Sequence, residues 1–114
     1  MKTVAIPTSS GTLDAHFGHC AEFTLFDVTE VNTLVDGRLR TIDAPPHQPG
    51  LLPKWLAVRG VNVILAGGMG QRAIELFNQE GVDVLIGIKP APVEEVIAAY
   101  LDGSLQAEGN LCDH

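Results

Sequence analysis

Basic residues are scarce in this chain. Seven Lys and Arg stand against 14 Asp and Glu, a formal charge of -7. Binding a phosphate backbone needs a basic face, so a nucleic-acid partner is excluded. A small anion is not, because backbone amides hold anions without net positive charge. Long apolar runs are also missing, and none approaches the roughly 18 consecutive apolar residues of a membrane span. The run Val4-Ala5-Ile6 stops at Pro7, too short for a signal peptide. A cytoplasmic protein with no membrane partner is expected. Cysteine is limited to Cys20 and Cys112. The absence of Cys-x-x-Cys and of tetrad spacing argues against a closed zinc site. In a reducing cytosol the pair reads as thiols or ligands rather than a disulfide. The Gly-Lys-Ser/Thr ending of a phosphate loop is absent, and so is a serine nucleophile elbow. No paired acid and base stands out. A cysteine-dependent enzyme would have to rest on Cys20 with a histidine, and the expectation is a protein that is not an enzyme.

Apolar residues make up 46% of the 114, enough for one packed domain. Strands are expected over residues 2–7 and 23–28, and a third over 33–42 with a turn at Asp36-Gly37. The second and third, close in sequence, should pair antiparallel. Three prolines and a glycine make residues 45–50 a loop that also carries His47. Pro53 suits the first turn of a short helix and Gly60 its end. Strand–helix alternation follows, with apolar strands over 61–66 and 82–86 that read as covered on both faces. Helices are expected over 71–80 and from Pro92 to Gly103. In the second, Val93, Val96, Ile97, Tyr100 and Leu101 form an amphipathic stripe. Residues 104–108 read as one more short strand. These elements predict an α/β fold with a mixed, mostly parallel sheet of about five strands flanked by helices. The domain is expected over 1–108, with a polar tail over 109–114.

Chemistry-bearing residues concentrate in few places. His16, His19 and Cys20 fall within five residues, and Gly18 lets the backbone turn between them. Imidazole and thiolate together suit copper, zinc or iron. The competing reading makes them a backbone-bonded loop histidine, a solvated histidine and a small core thiol. Cys112 and His114 close the chain as Cys-x-His. Gly67-Gly68-Met69-Gly70 separates a buried strand from a helix. Glycines there allow positive φ and close backbone approach, and the first helical amides face outward with the helix dipole behind them. Gly68-x-Gly70-x-x-Ala73 matches a loose dinucleotide fingerprint. The carboxylate expected at the end of the next strand is absent, since the chain reads Ile86-Gly87-Ile88-Lys89. Lys89 is a solvated lysine or a neutraliser of a bound anion. In such sheets ligands gather at the carboxyl ends of parallel strands, so the loops after the first, fourth and fifth strands should share one edge.

His16-Phe17-Gly18 before an aromatic-entered strand, the Gly67-Gly68-Met69-Gly70 turn and the closing Cys112-x-His114 resemble the dinitrogenase iron–molybdenum cofactor biosynthesis family. The resemblance runs from Val4 to His114. It implies a ribonuclease H-like α/β fold without nuclease residues. It also implies a carrier or scaffold for a molybdenum-containing sulfide cluster, with copper or iron, and a delivery or acceptor protein as partner. The candidate cofactor-binding residues are then His16, Gly18, Gly67, Gly68, Met69 and Gly70. The candidate metal ligands are His16, His19, Cys20, Cys112 and His114. The alternative is a regulatory module that holds a nucleotide or oxyanion at the same glycine edge without metal.

Overall fold

Val4-Ala5-Ile6-Pro7-Thr8 is buried at every position, so β1 (Lys2–Ser9) has both faces covered. The computed structural model describes residues 2–13, 22–29, 34–44, 51–105 and 109–110. Around β1 stand β2 (Thr12–Leu13), β3 (Glu22–Val28), β4 (Leu34–Asp43), α1 (Leu51–Val58), β5 (Val63–Leu65), α2 (Gln71–Gln79), β6 (Asp83–Ile86), α3 (Val93–Asp102) and β7 (Gly109–Asn110). The strand order is β4-β3-β1-β5-β6-β7, with β2 attached to β1.

The sheet is mixed, as expected, but neither five-stranded nor mostly parallel. Among the described residues six strands lie on the main path, and only the β1–β5 and β5–β6 pairings are parallel. Those of β1 with β2, β1 with β3, β3 with β4 and β6 with β7 are antiparallel. The reason is connection length. The strands of the N-terminal half return without an intervening helix among the described residues, whereas α1 and α2 precede the two parallel additions.

Two strands depart from the sequence reading in instructive ways. The polar stretch after Pro7 is a tight hairpin, with Thr8 opposite Leu13 and Ser9 opposite Thr12. Ser10 and Gly11 both take positive φ, 55° and 79°, as a two-residue hairpin turn of the primed type requires. Asp36-Gly37 does not end a strand. β4 continues through them, and its partners step from Leu39 to Leu34 while β3 advances only from Phe26 to Val28. The excess chain is absorbed as a bulge. Farther on, Ser104 and Leu105 are not strand, and pairing resumes at Gly109 and Asn110.

Side chains alternate between two cores. Val4, Ile6, Phe26, Val63 and Leu65 pack under α3, against Val93, Val96 and Ile97. Ala5, Phe23, Leu25, Ile64 and Val84 face the other way, onto Leu56 of α1 and Ile74 and Phe77 of α2. The sheet is thus sandwiched between α3 and the α1–α2 pair. No described helix is long and apolar enough to cross a membrane.

Pro7 sits in a central strand, where proline usually costs a ladder bond. The ladder explains its tolerance. Asn62 donates to the Thr3 carbonyl (2.8 Å), so Thr3, Ala5 and Pro7 turn their backbone groups toward β5. The β1–β5 register ends at Ala5 opposite Ile64. Pro7 has no N–H to carry the ladder on to Leu65, so the pairing with β5 stops before it and costs one ladder bond at the end rather than in the middle.

Candidate functional site

The same ladder end marks the candidate site. β1 runs on to Ser9, with β3 on one side as far as Thr8; on its other side the pairing with β5 ends at Ala5 and β2 takes over at Thr8 and Ser9. From β1 the chain proceeds to β3 in one direction, and from β5 to β6 in the other. Such a switch point, at the carboxyl ends of parallel strands, is where open α/β sheets hold ligands. Glu22 pairs with Thr8 and Asp43 with Glu22, so β3 begins and β4 ends at this edge. Thr8 and Thr24 lie near this edge on the α3 face of the sheet, both buried and hydrogen-bonded to each other at 3.0 Å.

The glycine turn forms one wall. Gly70 caps α2 in an extended conformation, φ -67° and ψ 152°, with no side-chain hydrogen bond to the first helical amides. Its carbonyl accepts the first helical bond, from Ile74 at 3.1 Å. A Cβ on Gly70 would meet nothing within 4 Å. The expected positive φ is not what the turn uses, since Gly67, Gly68 and Gly70 are not among the left-handed glycines. Neither backbone conformation nor packing therefore demands glycine at position 70. What its missing side chain provides is open access to the amides of α2. Gly68 and Gly70 are exposed. Met69 is half-buried and packs on the core that contains Phe23 and Ile74.

The loop after β6 forms the base of this wall. Gly87 donates to the Gly67 carbonyl (2.9 Å) and Ile88 to the Ala66 carbonyl (3.3 Å). The far side of the same loop is tied to the hairpin: Leu13 donates to the Ala91 carbonyl and Val93 to the Gly11 carbonyl, both at 2.9 Å. The sequence reading placed the loops over residues 8–20 and 87–90 at this edge but gave neither Gly87 nor the Ser10-Gly11 turn a role of its own. The available signals were a serine–glycine pair after a strand, and a glycine between a strand end and Pro90. Arg72 and Lys89 are exposed cations on these elements. His16, Gly18, His19, Cys20, His47, Cys112 and His114 lie outside the described residues, and with them the expected face-to-face placement of the first motif and the glycine turn. Among the described residues no three His, Cys, Asp or Glu gather as a metal-ion site.

The family model for dinitrogenase iron-molybdenum cofactor proteins matches residues 1–103. This chain belongs to that family. Solved structures share its architecture. PH0822 superposes with a TM-score of 0.83 at 29% identity, over 93% of this chain and 94% of that one. The apo orange protein of Desulfovibrio gigas superposes at 0.74 with 22% identity, over 96% of each chain, a likeness of fold. Among curated sequences, MJ0580 of Methanocaldococcus jannaschii is 28% identical over 108 residues, covering 90% of this chain and 88% of its own.

Proposed function

We propose that this protein is a carrier or scaffold, not a catalyst, for a molybdenum-containing metal–sulfur cluster seated at the β1–β5 crevice. Membership of a family named for the iron–molybdenum cofactor supports a cluster as cargo. The observation that carries the reading is the uncapped start of α2 beside the ladder end, with Gly70 left open. A thiometallate cluster is anionic and presents sulfur acceptors, and converging N–H groups at a helix start suit both. The local field at those amides acts where the net charge of -7 does not. His16 is the proposed side-chain contact, with Gly18 beside it and Met69 a soft neighbour. His19, Cys20, Cys112 and His114 are proposed as further ligands. Iron is the expected companion metal and copper the alternative. A delivery or acceptor protein completes the cycle, in the cytoplasm, and the ribonuclease H-like lineage of the sheet belongs to the same proposal.

The test is anaerobic reconstitution with tetrathiomolybdate plus iron, or plus copper, followed by desalting. The expected result is a coloured protein with retained molybdenum. Colourless, metal-free protein in both arms overturns the reading. Calorimetric binding of ATP or phosphate to that same metal-free protein would replace it with an oxyanion-binding module.

A further inference from the structure

We infer that Gly87 is a positioning residue for the glycine cradle: by donating to the Gly67 carbonyl, it turns the Gly68 N–H into the β1–β5 crevice. This rests on the reading of that crevice as the cluster site. The argument follows the peptide planes. Ala66 behaves as a regular strand residue, its N–H donating to Leu85 (2.9 Å) and its carbonyl accepting from Ile88 (3.3 Å), both on the β6 side. In a trans peptide the C=O and the following N–H point in opposite directions, and the chain has no cis bond among its described residues. The Gly67 N–H therefore points away from β6, toward β1.

A strand that kept alternating would turn the Gly67 carbonyl toward β1 as well, and the Gly68 N–H back toward β6. The structure does otherwise. The Gly67 carbonyl accepts from Gly87 at 2.9 Å, on the β6 side. The alternation breaks, and the Gly68 N–H points away from β6 like that of Gly67. Two successive N–H groups on one side form an anion-binding concavity. Two successive carbonyls on the other side are matched by the successive N–H groups of Gly87 and Ile88. That match needs the chain to turn sharply after β6, and Gly87 does so at φ 83°, where a side chain is strained.

Three variants test this. Gly87→Ala forces a side chain into the left-handed region. Gly81→Ala imposes the same strain at the other end of β6 (φ 78°, with nothing within 4 Å of its Cβ), away from the cradle. Gly87→Asn keeps the amide and tolerates the left-handed region. In the metal-free protein, Gly87→Ala is expected to shift the Gly67 and Gly68 amide resonances, and Gly81→Ala to leave them in place. Cluster release is expected to speed up about tenfold in Gly87→Ala, the size of one misdirected amide hydrogen bond. Gly81→Ala should release at the wild-type rate, and Gly87→Asn should restore most of the retention. Equal effects of Gly87→Ala and Gly81→Ala overturn the inference. Should Gly87→Ala not fold, amide exchange of the wild type decides: slow at Gly87 and fast at Gly68 supports it, and the reverse order overturns it. A wild type that takes up no cluster defeats the preceding proposal, while these amide measurements still decide the role of Gly87.

Discussion

Gly70→Asp separates stability from cargo binding, because the cradle and a good helix cap compete for the same amides. Gly70 already has the extended backbone of a cap residue, and its Cβ direction is open. An aspartate there needs no rearrangement to reach the N–H of Arg72 or Ala73. Replacing glycine by aspartate at a cap contributes a few tenths of a kcal/mol. A carboxylate at an exposed helix start adds about 0.3–1 kcal/mol through the dipole. Together these raise the melting temperature by roughly 2–5 °C for a domain of this size. The cluster experiences the opposite. It loses the capped amides and meets a negative charge at close range, an opposition of about 4 kcal/mol between unit charges at 4 Å in a protein-surface dielectric. Even after strong discounting for solvent, about 1.4 kcal/mol remains, a tenfold loss of retention. The assays are calorimetric melting of the metal-free protein and molybdenum content after desalting. Gly70→Asn, a neutral cap, should fall between wild type and Gly70→Asp in retention. A Gly70→Asp protein that is more stable and holds the cluster as well as wild type refutes the use of the α2 amides.

His16→Ala should weaken cluster retention more than His47→Ala, measured as metal per chain; equal retention removes His16 from the site. Phe77 is fully buried between α2 and the sheet, and Phe77→Ala should cost about 3–5 kcal/mol, read from urea denaturation. Asp27 is held below the usual carboxylate range by hydrogen bonds from Arg40 (2.9 Å) and then Thr3 (2.7 Å). A lowered folded-state value stabilises above the ordinary carboxylate range and is lost as pH falls through it. The pair is partly exposed, so the effect should stay within about 1 kcal/mol, shrink with salt and vanish in Asp27→Asn.

Helices were the legible part of the fold, since their stops are local. Gly60 and Gly103 end α1 and α3 with left-handed backbones, and the stripe from Val93 to Leu101 packs as its spacing implies. Sheet direction was less legible. Parallel pairing requires a crossover, and a sequence shows the crossover helix but not which neighbour the next strand joins. Pro7 concealed the length of β1, because its tolerance depends on where the β5 ladder stops. Asp36-Gly37 carries a strong turn signal, yet the long pairing of β3 with β4 converts it into a bulge. Composition singled out Gly67 to Gly70 as candidate site residues, and the conformational reason assigned to them differs in part from the structure. Positive φ occurs at Gly87 and Gly11, on the loops behind the cradle, not in the cradle itself.

That displacement bears on what the crevice selects. A dinucleotide site needs a carboxylate about 20 residues past its glycines, at the end of the next strand, to accept from a ribose hydroxyl. In this chain the end of the next strand is Gly87, and what it contributes is an N–H, donated to Gly67 (2.9 Å). An acceptor for a sugar has been replaced by a donor that aims another donor, the Gly68 amide. Pro7 brings no N–H to this edge, and the Thr8 and Thr24 hydroxyls, on the α3 face, are occupied with each other. The start of α2 adds amides that no side chain caps. On the proposed reading, amides on the wall and no acid at the ribose position suit a compact anion better than a nucleotide. For an acidic protein that is the economical arrangement, because amide dipoles attract an anion over a few ångströms while the net charge repels from farther away and is screened within about 8 Å at physiological salt.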